Sequence, residues 1–539
     1  MLSLKIDGQP VDLPNDFSVT MNLKSPAFNE VGSYSYPFKI PYSPRNAFIF
    51  NFRNRVQNQT DPYITYNGVF SWNGITLFNG TVKMKLFNNF TFEGSIYEGN
   101  GDFNYQRKNA TLQDVDYGVL EFSSESTRLG YMNSCIDKYY PDCNICFPQI
   151  LNKSYFDELP ENTGLHYCNI YINSFLQSVF SGGSERTILV PMLYLRYVLK
   201  KIFLYIGYSV DDRFFSSGPE FNKLSIFNLV DCNNGDHGFF PYDVTKIFLN
   251  YHLPRLSLNE FFSGLETMFN IRFFVNTFKR EVVVVSLDSI IKSTDYFDFS
   301  KNISLIETEI SDQITGYNLS MTMDTDDELY EIRKEYDESV IDRLKENVKS
   351  VSDLNPWPSD NIMDMRYVLD ADRYYILWSN KQWIPWVSDL TLYFNYRYRS
   401  NQQSIETKFS TLLNNNASDD AVVGNKREDW ENVTGKLFFN DYVSSSPVRM
   451  RALPLTTNNS LYYGGTNGLF NKYFKTWFDF RMSTKLVKIT KLMTFKEILD
   501  LDFSKKYYIN GVMYLISSIR VTIKRDRIMP AVIECYPCQ

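Results

Sequence analysis

A period-two alternation of apolar and polar residues recurs through the first hundred positions and limits most sharply what this chain can become. Phe17, Val19, Met21 and Leu23 alternate with Ser18, Thr20 and Asn22. Val82, Met84 and Leu86 alternate with Lys83 and Lys85; after Asn88-Asn89 the pattern resumes at Phe90, Phe92 and Ile96. Successive side chains of a strand point to opposite faces, so the pattern calls for strands with one wet face. Asn67-Gly68, Asn73-Gly74 and Asn79-Gly80 punctuate it, and each reads as a tight turn. The expectation is a compact antiparallel sheet or small barrel ending near Tyr117. Aromatic residues make up 16% of the chain, which suits pleated surfaces and large contacts better than helix interiors.

Beyond Tyr117 the texture becomes irregular, apart from one helix that the spacing places between Pro191 and Gly207. Leu195, Val198, Leu199, Ile202, Phe203 and Ile206 form its apolar face. Ser257 and Glu260 then form a capping box ahead of Phe261, Phe262, Leu265, Met268 and Phe269. Ile271 to Val275 and Glu281 to Leu287 read as a hairpin whose second strand, with four consecutive valines, is buried on both faces. Tyr507 to Ile516 reads as a hairpin turning at Asn510-Gly511, with further strand at Arg520 to Lys524 and Ala531 to Cys535. A terminal strand set this short needs a partner sheet, expected to be the one begun near Ile271. At 539 residues the chain divides into several units.

Composition and motifs narrow the chemistry. Net charge is −7, so no strongly basic balance is available for gripping nucleic acid. The first residues lack a secretory apolar region, and no stretch approaches the roughly 18 apolar residues of a membrane helix. A cytoplasmic starting point with reduced thiols is expected. Cys135, Cys143, Cys146, His166 and Cys168 have spacings that offer a structural zinc site, with ordinary thiols as the alternative. Asp324, Asp326, Asp327 and Glu328 lack the Gly and closing Glu of a calcium loop and read as a solvated helix start. His237 beside Asp236 reads as a turn residue rather than half of an acid–base dyad. No P-loop, GxGxxG, GxSxG or HExxH pattern occurs, so the expectation is a non-enzymatic, β-rich, multi-unit protein without a cofactor. An aromatic belt from Tyr367 to Tyr398 reads as a β core, a subunit interface or a sugar platform.

One segment goes further. Gly32-Ser-Tyr-Ser-Tyr-Pro-Phe-Lys-Ile-Pro-Tyr-Ser-Pro-Arg-Asn46, after the Asp16 to Pro26 strand, resembles the N-terminus of tail or baseplate hub proteins of Bacteroidetes phages and prophages. The Pro191 helix, His252-Leu-Pro leading into the Ser257 helix, the Gly468 to Trp477 segment and the Tyr508 to Ile516 hairpin resemble the same family in the same order. The resemblance implies a β-rich α+β fold with two β-barrel-like tube domains, each with a peripheral insertion, assembling into a ring. On that plan 1–117 is the first tube domain, 118–244 an insertion with helix 191–206, 245–305 with 478–539 the second tube domain, and 306–477 an aromatic-rich insertion.

The implied role is that of a hub, in which three chains give pseudo-sixfold symmetry between a hexameric tail tube and a trimeric spike. Expected partners are further copies of the chain, the tail tube, spike and tape-measure proteins, with DNA crossing the lumen unbound. The expected location is the virion tail, assembled in the host cytoplasm. Tyr34, Tyr36, Phe38 and Tyr42 are the candidate interface residues, the alternative being that they fill their own core. Two other functions stand beside the hub: a short-tailed-phage hub or adaptor ring, and a glycan-binding protein using the late aromatic belt.

Overall fold

The alternating segments form the strands their pattern calls for. In the computed structural model, Thr65–Trp72, Ile75–Phe87 and Thr91–Glu98 are consecutive antiparallel strands, with Leu2–Ile6 outside the first. Ser33–Ser35 and Phe38–Pro41 both pair with Thr91–Glu98, and Ser33–Ser35 hands the sheet on to Ser18–Lys24. Asn73 and Gly74 have φ of 49° and 84°, as a type I′ hairpin turn requires. The other two Asn-Gly pairs are not turns: they lie inside facing strands, with Gly68 opposite Gly80. A Cβ on Gly80 would sit 1.8 Å from the Tyr97 carbonyl oxygen, and one on Gly68 2.2 Å from a Val82 methyl. Glycine is needed there for close approach, a demand that the dipeptide alone does not distinguish from a turn.

The structure describes residues 2–29, 32–58, 64–106, 110–148, 150–151, 167–169, 189–228, 230, 232, 246–309, 314–322, 347–353, 365–368, 373–377, 383–385, 393–396, 402–407, 409–411, 435–441, 450–452 and 459–538.

Strands from the end of the chain complete the N-terminal sheet. Ser18–Lys24 pairs along its whole length with Val512–Lys524, which continues to Ala531–Cys538, Val487–Lys491 and Ile303–Thr308. Lys506–Ile509 folds back on Val512–Lys524 through Asn510 and Gly511, whose φ values are 47° and 94°. With Tyr296–Asp298 parallel to Lys506–Ile509, one sheet holds fourteen strands. The sheet curls. Leu2 is separated from Val512–Lys524 by the whole N-terminal part of the strand order, yet its N–H donates to the Arg525 carbonyl at 3.2 Å. Leu4, Met21, Phe70, Val82, Ile519 and Ile533 are buried inside the curl, each contributing roughly 1.5–3 kcal/mol by leaving water.

The expectation that the C-terminal strands extend the sheet begun near Ile271 is corrected. Ile271–Asn276 and Glu281–Ser286 stand in a separate three-stranded sheet whose two edges are occupied. Ser209–Asp211 runs parallel to Glu281–Ser286 on one edge. On the other, the Asn100 amide mimics a strand, donating to the Phe273 carbonyl and accepting from the Val275 N–H at 3.3 Å. The four-valine strand alternates after all, with Val282 and Val284 buried and Val283 and Val285 half-buried.

A second core lies against this small sheet. One of its helices is Leu195–Ile206, starting at Leu195 rather than Pro191 because Met192–Leu193 pairs with Ile145–Cys146. The helix ends at Gly207, φ 83°, in the left-handed cap that glycine adopts without a Cβ penalty. The capping box closes another helix, Leu258–Phe269: Ser257 Oγ accepts from the Glu260 N–H at 3.2 Å and Glu260 Oε2 from the Ser257 N–H at 3.1 Å. Phe203, Phe262 and Phe273 meet between the helices and the hairpin. No helix among the described residues is long and apolar enough to cross a membrane.

Candidate functional site

The fold divides the four aromatic candidates of the N-terminal loop. Phe38 is 3% exposed and lies edge-on to Phe17 and Phe70, at centroid distances of 6.3 and 5.4 Å. It fills this chain's own core. Tyr34 is half-buried in its strand. Tyr36 reaches the surface beneath the Arg520 guanidinium, 5.6 Å from its ring, and Tyr42 reaches it beside Phe92, at 5.9 Å.

Sequence reading passed over Asn46 in the same segment, although it is fully buried. Its Oδ1 accepts from the Asp12 N–H at 2.9 Å, and its Nδ2 donates to the carbonyls of Asp12 and Pro41 at 3.0 and 2.8 Å. Ser43, the N-cap of the Pro44–Ile49 helix, accepts from the Asn46 N–H at 3.1 Å and donates to Asp12 Oδ2 at 2.7 Å. The available signal was an Asn in a short helix, where its propensity is poor and its side chain is its main asset.

The curled sheet joins the helical core at a pair of carboxyls. Helix Asn100–Gln106 leaves the end of Thr91–Glu98 and inserts Phe103 between Phe203, Tyr208 and Phe262. Asp102 on this helix accepts from the Thr81 hydroxyl and from the Tyr208 hydroxyl, the latter at 3.0 Å. Glu98 is buried beside it. Burial pushes the Glu98 carboxyl up to about 8; the Asn79 N–H opposes this and the Asp102 charge adds to it. Gly101 permits the close fit, since a Cβ there would lie 2.3 Å from the Ser33 carbonyl oxygen. The arrangement holds a proton at neutral pH inside the joint between two packed bodies.

Of the candidate zinc ligands, the described structure brings two together. The Cys135 and Cys143 thiols hydrogen-bond beside the Tyr131 hydroxyl, and the Cys135 contact pulls Cys143 down to about 7 while Cys135 is pushed up. Cys146 Sγ is turned to Ser225 Oγ at 3.4 Å. His166 and the side chain of Cys168 lie outside the described residues, as do Asp236, His237 and the acidic stretch at Asp324, Asp326, Asp327 and Glu328. Among the described residues no group of three or more His, Cys, Asp or Glu is placed to hold a metal ion. Of the aromatic belt the backbone strands at 365–368, 373–377, 383–385 and 393–396 are described; the side chains there, with Trp378, Trp386 and Tyr398, are not.

His252 is a core histidine. Its Nδ1 lies 3.1 Å from the Val230 carbonyl oxygen, and burial pushes the imidazole down to about 4. A histidine depressed in the folded state contributes fully above its unfolded value near 6.5, and that contribution is lost as pH falls towards 4. Stability is therefore expected to drop by about 2 kcal/mol between pH 7 and pH 5 from this group. Urea midpoints of a Glu98→Gln variant, free of the opposing Glu98 titration, should show the limb across that range, and adding His252→Gln should flatten it.

These elements define a β-rich α+β protein built on a curled fourteen-stranded sheet, with a helical core packed against it. No family model matches the chain, and no curated protein matches it. Among solved structures it is similar to the 43 kDa tail protein of prophage MuSo2 from Shewanella oneidensis, at 9% identity over 99% of this chain and 97% of that one, with a TM-score of 0.36. It is also similar to a tail protein from Neisseria meningitidis MC58, at 7% identity over 99% of this chain and 95% of that one, with a TM-score of 0.32.

Proposed function

We propose that this chain is a structural component of a phage tail, serving as the hub ring that joins the tail tube to the spike and continues the DNA channel. One observation carries the reading. The seam between Ser18–Lys24 and Val512–Lys524 joins the first and last described strands into one curled wall, which the chain leaves after Glu98 and re-enters at Tyr296. A channel subunit needs such a wall, and the segments that resemble hub proteins include strands on both sides of the seam. Three copies would offer a tube-facing side of pseudo-sixfold symmetry and a spike-facing side of threefold symmetry. A net charge of −7 suits a lumen that DNA crosses without sticking. The role is mechanical, with no bond made or broken.

Native mass spectrometry and electron-microscope class averages of the purified chain test this, with and without tail tube protein. A trimer with threefold averages that binds the tube protein is the expected result. A ring of different symmetry would favour the short-tail adaptor. A chain that stays monomeric at high concentration and ignores the tube protein would overturn the proposal.

A further inference from the structure

Among the described residues, the strand at the rim of the large sheet is paired on one side only. Ile303–Thr308 ends the strand order, pairing with Val487–Lys491 on one side, and every residue from Ser304 to Thr308 is exposed. Register shows what this exposes. Leu23, Ile519, Ile533, Ile489 and Ile306 face one another on successive strands. The first four are at most 5% exposed, whereas Ile306 is 43% exposed. The apolar row of the core thus runs onto the rim and stops uncovered. Leu305, on the opposite face, is 49% exposed. A free backbone edge with apolar groups on both faces is what folded chains avoid unless another strand or chain covers it. The rim also carries carboxylates, with Glu307, Glu309 and Glu534 around the Lys488 ammonium, which pairs with Glu309 at 2.5 Å.

The same chain carries the complement. Pairing of Ile75–Phe87 with Thr65–Trp72 ends at Lys83, and Lys85 is the extra residue of a bulge between Met84 and Leu86. Lys85 and Leu86 are exposed, and Phe90 at the turn is 82% exposed. The Tyr42 N–H donates to the Phe90 carbonyl at 2.8 Å, tying this tip to the helix that carries Phe48, itself 65% exposed. The tip is therefore aromatic and flanked by lysines.

We infer that the hairpin tip of one copy seats on the Ile303–Thr308 rim of a second copy. Phe90 and Leu86 cover Leu305 and Ile306, and Lys83 and Lys85 face Glu307 and Glu309. Two rims meeting each other would set carboxylate against carboxylate; tip on rim sets ammonium against carboxylate. Because the two surfaces differ, the contact is head-to-tail, the kind that closes into a ring when the rotation permits. The inference rests on the ring reading above and names the surfaces that would make it.

Charge reversal tests it by sedimentation velocity on the full chain. Lys85→Glu should leave the melting temperature unchanged, Glu307→Lys should lower it slightly because Lys488 lies opposite, and each should weaken self-association by about tenfold or more. The double variant, with the charges exchanged, should recover wild-type assembly. Single variants that assemble like wild type would overturn the inference and leave the ring reading standing. A wild-type chain that does not self-associate would overturn both.

Discussion

Replacing Glu98 with glutamine is expected to stabilise the chain by about 3 kcal/mol at pH 7 and to change little at pH 4. Glu98 is buried where the curled sheet meets the helical core, and its carboxyl is pushed up to about 8. In the unfolded chain it ionises near 4.5. A carboxyl raised in the folded state contributes its full stability below the unfolded value, and that contribution is lost as pH rises through 4.5 towards 8. At neutral pH the folded protein must therefore hold a proton that the unfolded chain releases. Glutamine removes this linkage and keeps the shape. Its carbonyl still accepts from the Asn79 N–H, and its amide donates towards Asp102, which is already bonded by Thr81 and Tyr208. Urea unfolding at pH 4, 6 and 8 separates the possibilities. Wild type should weaken across that range more steeply than the variant. A wild-type profile that is flat from pH 5 to pH 8, with a weaker variant at pH 7, would sink the account. The Glu98 and His252 effects slope in opposite directions, so the expected optimum lies between them, in mildly acidic solution.

How far the sequence could be read depended on whether an interaction is local. The Val82 to Ile96 hairpin, the Ser257 capping box and the Asn510-Gly511 turn each declare themselves within a few residues, and each forms. Gly68 and Gly80 misled because their requirement comes from Val82 and Tyr97 across the sheet. The partner of the C-terminal strands was misassigned for the same reason. Asn100 blocks one edge of the Ile271 hairpin, and nothing around position 100 announces that its amide reaches Phe273 and Val275. Aromatic loop residues drew attention as contacts, yet Phe38 was sorted into the core by Phe17 and Phe70, which are distant in sequence. Glu98 looked like any strand carboxylate; burial by a helix that follows it made it unusual.

Asn46→Ala is expected to destabilise the N-terminal part of the sheet by about 3–5 kcal/mol, more than truncating any of its surface tyrosines. The fully buried amide joins Asp12 to Pro41, which ends the strand beside Thr91–Glu98. Alanine removes three hydrogen bonds and leaves the Asp12 N–H without the oxygen that accepted it, a loss of roughly 1–3 kcal/mol for the orphaned donor on top of the bonds. Asn46→Asp sharpens the test. Aspartate keeps the acceptor for the Asp12 N–H but sets a carboxylate against the two carbonyls, so it should rescue little. Ser43→Ala, which removes the helix cap and the Asp12 contact, should cost only about 1 kcal/mol. Tyr36→Ala and Tyr42→Ala should each cost about 1 kcal/mol or less, since both rings are already more than a third exposed. Thermal and urea unfolding of this series decides what the Gly32 to Asn46 segment is for. The order Asn46 far above Ser43, Tyr36 and Tyr42 makes the segment a latch that holds the curl shut. If the tyrosines matter for stability as much as Asn46, the latch is wrong and the aromatic face is part of the core after all.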